Sequence, residues 1–518
     1  MPAPTSSLLR ATALLAGAAL LSRVLGYVRD LLLAWHFGAG AWADAYHAAF
    51  VLPDMLHYFL AGGALSVTMV PTLRGLQEEG REEHGRRLLW GVVLTTVGLL
   101  VPAIALAWWQ APRIVAALYP GFDGEQLERT VALTRIVLPG PLLFAVGGLC
   151  NAASLARQHF AAVALAPLVY NAGIIIGGLV GGAQAGPAGF SWGAMVGAAL
   201  GPFGLSALLA RPWMAWAPPM VPWKPEVRSY YWAAIPLLVG VSLTTADEWL
   251  GRWALSTHEA GDITRLHNAR RLLLLGIALL GQATGLAALP ALAALHAAGR
   301  RAEFARLLDD VSRQVWAVGW MLALGLATAA SSLVPLLYER GAWDHAASAG
   351  TAQLLMILAL ALPPWCAQTV LVRGFHARRA MWTPMAVTSL AVLAVVPLFD
   401  AVRRNPAWPL AWVAWISVGG LWLTWVLLAV ASRRAGDGRV WAPAWRGQIM
   451  GLGVGLPAAG IAWGLARSPL AESGHHLAVL AGQAAVWLPA LVLSLRWLSP
   501  SLWQKVRRRV GRGRSRAG

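Results

Sequence analysis

Arg23, Arg29 and Asp30 stand inside an otherwise apolar run near the start of the chain, with Ser22 and Gly26 among them. Ionisable side chains in such a run are costly unless they face protein or water. Spacing by seven residues puts Arg23 with Asp30, and Ser22 with Arg29, on nearly one helical face. Two chemistries fit. The face can line a wet cavity in which guanidinium groups grip a phosphate-bearing ligand through paired hydrogen bonds. Alternatively, the arginine and aspartate lock the first helix to a neighbour. Gly26 suits either, because it lets another backbone approach closely.

Further charges lie at comparable depth in later apolar stretches. Asp44 opens the second stretch, where it is either a first-turn acid complementing the helix dipole or part of a site. Asp54 follows Pro53, a residue that breaks helices. In the seventh stretch Glu248 lies one turn from Arg252, and Asp247 one turn from Gly251. These charges either pair internally or form a coupling site for a proton or cation. Arg270 and Arg271 open the eighth stretch and either snorkel to the membrane interface or point inward. A phosphate-cradling glycine loop, a zinc-protease helix and a nucleophile elbow are all missing, so nothing supports ATP-driven transport or covalent chemistry on the protein.

The elements that must position these groups are membrane helices. Hydrophobic residues make up 58% of the 518 positions and charged ones only 12%, more apolar surface than a soluble fold of this size buries. About fourteen stretches are long enough to cross a bilayer core of about 30 Å. They fall near residues 7–36, 42–73, 86–110, 129–154, 159–182, 187–210, 228–256, 266–297, 304–335, 347–373, 380–400, 407–431, 446–466 and 475–498. The first carries internal charge and lacks the form of a cleaved signal, so it is expected to remain as a span.

The net charge of +18 is distributed rather than random. Every second connection is basic, as at Arg74, Arg81, Arg86 and Arg87, then Arg157, then Arg300, Arg301 and Arg306. The intervening ones hold acids such as Asp123, Glu125 and Glu128, with Arg403 and Arg404 against the trend. By the positive-inside rule both termini are expected in the cytoplasm. The basic tail, residues 499–518, would lie against anionic headgroups rather than nucleic acid. Clustered tryptophans such as Trp108 and Trp109 fit an interfacial belt. Cys150 and Cys366 sit in apolar stretches as inert packing residues.

Features recur in order at an offset of roughly 220 residues, as internally duplicated transporters show. Val70-Pro71-Thr72-Leu73 matches Leu289-Pro290-Ala291-Leu292, residues 114–119 match 333–338, and Ala156-Arg157 matches Ala377-Arg378. The expected organisation is an all-α polytopic membrane protein of two six-helix lobes, 1–211 and 212–432. Two further helices within 433–498 and the tail follow.

The run Leu21-Ser22-Arg23-Val24-Leu25-Gly26-Tyr27-Val28-Arg29-Asp30 is followed by Phe37-Gly38-Ala39-Gly40, Ala43-Asp44-Ala45, Leu52-Pro53 and Val70-Pro71. Together with Pro120-Gly121-Phe122, Ala166-Pro167 and Asn171, these closely resemble the MurJ/MviN family of lipid II flippases. The resemblance implies a multidrug/oligosaccharidyl-lipid/polysaccharide exporter fold with a cationic cavity, and a groove for the polyprenyl tail at spans thirteen and fourteen. It implies substrate-binding roles for Ser22, Arg23, Arg29, Asp30, Asp44, Asn171 and Arg271. Asp54, His57, Asp247 and Glu248 are candidates for coupling or gating. Departures are His57-Tyr58 where the family usually has paired arginines, Gly62 where it has glutamate, and Arg270 where it has an acid.

The expected activity is translocation, in a bacterial inner membrane, of undecaprenyl-diphosphate-linked peptidoglycan precursor from the cytoplasmic to the outer leaflet. No cofactor is expected, although coupling to the membrane potential or a monovalent cation is. The partners are the glycolipid, membrane lipids and cell-wall synthesis proteins, with no nucleic acid. Alternatives are another lipid-linked oligosaccharide as cargo, for O-antigen, capsule or exopolysaccharide, or a non-transporting membrane scaffold.

Overall fold

The computed structural model describes residues 5–61, 64–211, 213–277, 283–436 and 441–498. Gly62 and the basic tail therefore lie outside the described residues. Every regular element among those described is helical. By contacts the chain divides into two compact units, Met1–Thr264 with Arg340–Trp343, and Arg265–Glu339 with Asp344–Gly518.

In the first unit α1 spans Thr5–Phe37, α2 Ala41–Ala49 and α3 Val51–Leu56; a π-helical turn, His57–Ala61, precedes α4, Ala64–Glu78. There follow α5 (Glu82–Leu118), α6 (Gly124–Val137), α7 (Gly140–Ala156), α8 (Ala161–Ala185) and α9 (Pro187–Ala198). A second π-helical turn, Ala199–Leu205, leads into α10 (Ser206–Ala210), and α11 covers Pro225–Leu255. α12, Asp262–Ile277, begins in the first unit and continues in the second.

The second unit continues with α13 (Ala283–Ala297), α14 (Arg301–Tyr338), α15 (His345–Ala359), α16 (Leu362–Ala377), α17 (Trp382–Arg404) and α18 (Ala411–Arg434). It closes with α19 (Trp441–Ala466), the short α20 (Pro469–Glu472) and α21 (His476–Leu498). Among the described residues nine helical segments are long and apolar enough to cross a membrane, or ten if α15 and α16, bent by 44°, form one crossing. The other four expected crossings are occupied by α1, by the series α2 to α4, by α11, and by α12 with α13.

Small residues set how closely the helices of the first unit approach. Gly173 and Gly177 on α8 face Gly189, Gly193 and Gly197 on α9, all at helical spacing. A Cβ at Gly193 would lie 2.4 Å from the Gly173 carbonyl oxygen, so only glycine allows these backbones to touch. Next to this seam Leu33, Tyr46, Ile174, Phe190 and Ala194 form a buried cluster joining α1, α2, α8 and α9. A larger cluster around Met69, Leu89, Val92 and Leu149 joins α4, α5 and α7, with Val227 and Tyr230 of α11 packed into it.

The second unit is built on α14. Trp316, fully buried, meets Trp425 edge-on at 4.8 Å and Trp422 at 5.3 Å within a cluster that includes Leu308, Val370 and Phe375. These tryptophans are core rather than interfacial belt, whereas Trp108 and Trp109 are exposed. α19 and α21 both pack on α14, through Met321, Ala458 and Ala490. Cys150 and Cys366 are buried in the interior.

Candidate functional site

On α1 the guanidinium of Arg29 turns to its sequence neighbour. Its Nε and Nη2 donate to Asp30 Oδ1 at 2.9 and 2.7 Å. Asp30 is 3% exposed and the Arg29 side chain 18%, so the pair is held together largely out of solvent, where ionic groups persist only when matched. The seven-residue spacing had suggested Ser22 with Arg29 and Arg23 with Asp30. Instead Ser22 is engaged by α8: Asn171 Nδ2 donates to Ser22 Oγ at 3.2 Å and to its carbonyl at 3.3 Å. Arg23 is exposed and, among the described residues, has neither ion pair nor hydrogen bond.

Asp44 makes the densest set of contacts. Buried to 2% exposure, its carboxylate accepts from the backbone N–H of Gly261 at 2.6 Å, and from the N–H and hydroxyl of Thr264 at 2.8 and 2.6 Å. Although it lies in the first turn of α2, it therefore also caps the first turn of α12, whose leading N–H groups have no intrahelical acceptor. Gly261, at φ +99°, approaches Ala39 so closely that a Cβ would sit 2.2 Å from the Ala39 carbonyl oxygen.

The second crossing is broken, as Pro53 foretold. α2 stops at Ala49, α3 starts at Val51, and Pro53 has no N–H to return to the carbonyl four residues back. Neighbouring helices satisfy carbonyls near the break. Arg252 Nη1 donates to the His47 carbonyl at 3.2 Å, and the Tyr119 hydroxyl to that of Ala48 at 3.3 Å. Arg252 is itself ion-paired to Glu248 one turn away. Asp247 is half-buried on the same helix.

Beyond the break Asp54 and His57 line a cavity of about 230 Å³ with Phe144 and Tyr170. His57, Phe144 and Tyr170 also border a second space of about 300 Å³ that reaches Asn151 on α7. Sequence reasoning passed over Tyr170 and Asn151. The available signal was an amide in the middle of the apolar α7 and a tyrosine next to Asn171.

In the second unit Arg270 donates to Ser417 Oγ on α18 at 2.8 Å, and Arg271 is half-buried beside it on α12. An apolar space of about 360 Å³ opens along α14 and α21, lined by residues including Leu326, Leu333, Leu480 and Trp487. Gln483 bridges three helices there, its Nε2 donating to the carbonyls of Thr328 and Ala462 at 3.0 Å each.

Residues 33–459 match the family model described as lipid II flippase MurJ. The chain belongs to that family. MurJ proteins are transporters, not enzymes, and reside in the cytoplasmic membrane. Curated relatives include a probable lipid II flippase MurJ of Rhizobium tropici, 26% identical over 79% of each chain. The lipid II flippase MurJ of Burkholderia cenocepacia is 27% identical over 76% of this chain and 78% of its own. Among solved structures, lipid II flippase MurJ in an inward closed conformation superposes with a TM-score of 0.77 at 18% identity, covering 94% of this chain and 99% of the other. An inward-facing multidrug resistance MATE family transporter gives 0.67 at 12%, covering 80% and 94%. The all-helical polytopic fold is thus the one shared by MurJ and MATE transporters.

Proposed function

We propose that this chain carries lipid II, or a closely related polyprenyl-diphosphate-linked glycolipid, from the cytoplasmic to the outer leaflet by alternating access. The observation that carries the reading is the contrast on α1: Arg29 is matched to a buried acid, while Arg23, six residues before it, is exposed and unmatched. A guanidinium left without an acid on a helix of otherwise apolar character is suited to a diphosphate, which takes two parallel hydrogen bonds from it. Arg271 supplies further positive charge, and the apolar space along α14 and α21 offers the polyprenyl tail a place.

Asp44 fits a gating role, because releasing α2 from the first turn of α12 costs three hydrogen bonds to a buried carboxylate. Asp54, His57, Asp247 and Glu248 remain the candidates for coupling. The reading includes both termini in the cytoplasm, location in the inner membrane of a bacterium, and a drive from the membrane potential or a monovalent cation. Potential acts on a cavity charge with about 2.3 kcal/mol per 100 mV.

Complementation of a strain depleted of its own lipid II flippase tests the proposal. Growth rescued by the wild-type chain and lost with Arg23→Ala is the expected result. A wild-type chain that reaches the membrane and fails to rescue would transfer the assignment to another lipid-linked oligosaccharide. Rescue by Arg23→Ala at full efficiency would remove the diphosphate role of that residue.

A further inference from the structure

The paired cavities in the first unit differ in character from a phosphate site. No lysine or arginine occurs among the described residues lining either of them, and the acid Asp54 borders one. A diphosphate would meet a carboxylate in that lining, while Arg29 and Arg252, which interact with Asp54, stand outside it. The walls offer neutral polarity and aromatic faces instead. Asn151 Oδ1 and His57 Nδ1 are buried without a hydrogen-bond partner in the protein, and such atoms are costly to leave unsatisfied. Phe144 meets Tyr170 edge-on at 5.1 Å and His57 at 5.9 Å, so the rings form one continuous wall.

The two spaces, of about 230 and 300 Å³, share that wall, and each is many times the ~30 Å³ share of a single water. An occupant must therefore be larger than water, uncharged, and rich in groups that donate hydrogen bonds to an amide oxygen and pair with an imidazole nitrogen. It must also present an apolar face to aromatic rings. A sugar ring has these properties together: hydroxyls at its rim and C–H groups on its faces.

We propose that this cavity is a subsite for a neutral, hydroxyl-rich sugar ring of the lipid-linked cargo, recognised by Asn151 and His57 against the wall of Phe144 and Tyr170. The proposal rests on the flippase reading and adds a division of labour. Arginines outside the cavity take the diphosphate, and this space reads the glycan.

The experiment measures binding to the purified full-length protein in detergent by native mass spectrometry, with two probes: lipid II, and undecaprenyl diphosphate without sugars. The wild type is expected to bind lipid II about tenfold more tightly than the bare diphosphate, the size two added hydrogen bonds supply. Asn151→Leu is expected to reduce that preference several-fold with binding of the bare diphosphate unchanged, and Asn151→Gln, which keeps the amide, to retain part of it. Retained binding of the bare diphosphate also shows that the variant is folded. Equal binding of both probes by the wild type would overturn the subsite, as would an undiminished preference in Asn151→Leu. If the wild type binds neither probe, the flippase reading itself fails, and the subsite with it.

Discussion

Replacing Asp44 with alanine isolates the contact between α2 and the start of α12. The carboxylate accepts three hydrogen bonds between 2.6 and 2.8 Å while 2% exposed. An ordinary N-cap lost to alanine costs about 0.5–2 kcal/mol, and at roughly 1 kcal/mol net for each bond the three sum to about 3 kcal/mol. With a factor of ten for every 1.4 kcal/mol, local opening of this turn should become about 100-fold more frequent. Hydrogen–deuterium exchange reads this directly, because two of the donors are the backbone amides of Gly261 and Thr264. A peptide containing residues 261–264 should exchange about 100-fold faster in Asp44→Ala, with Asp44→Asn intermediate since its amide keeps one acceptor. Unchanged exchange in the alanine variant would show that the cap is not formed in solution and would remove the energetic basis for a gate at Asp44.

Four single substitutions and one double change have definite expected outcomes. Arg29→Ala should destabilise the protein by about 1.5–3 kcal/mol, the worth of a hydrogen bond between charged groups, by removing the ion pair with buried Asp30, while the double change Arg29→Met with Asp30→Leu should cost less than the single one, as a thermal melting series would record. Arg23→Ala should leave melting within about 0.5 kcal/mol of wild type, because the side chain is exposed and unpaired, yet abolish complementation. Gly193→Leu should prevent the contact between α8 and α9, seen as loss of folded protein in fluorescence-detected size exclusion. Gln483→Leu should cost about 1–3 kcal/mol by removing the two hydrogen bonds through which its amide ties α21 to α14 and α19, measured by melting in detergent.

Much of this was legible in the sequence because a bilayer imposes length and charge rules that leave marks in the chain. Stretches of about 20 apolar residues can only be helices there, and helices occupy the described residues of each expected crossing. Pro53 announced the break in the second crossing. Partner choice was less legible. Helical spacing places Arg29 with Ser22 on one face, but an arginine is long enough to reach a neighbouring residue, and Arg29 bonds Asp30. Asp44 read equally as a first-turn acid of its own helix or as part of a site; its acceptors are used by residues some 220 positions away, a distance no local pattern encodes. The tryptophan count mixed two populations, since Trp316 and Trp425 fill the interior of the second unit with Trp422 packed against them, and only tertiary contacts separate them from exposed ones.

The break between α2 and α3 shows how one local sequence choice propagates to function. Pro53 removes a donor, and the end of α2 leaves carbonyls that no bilayer can hydrate, so polar side chains from elsewhere must reach them. Tyr119 and Arg252 do so, which requires an arginine on α11 and hence an acid, Glu248, to hold its charge. Beyond the same break His57 and Asp54 line the cavities shared with α7 and α8, interior polar space in a unit whose seams are otherwise closed by apolar side chains and by the glycines of α8 and α9. A continuous second helix would need neither Arg252 nor Tyr119. The charges that first looked anomalous in α11 thus meet the end of α2, and the polar cavity opens just beyond the same break.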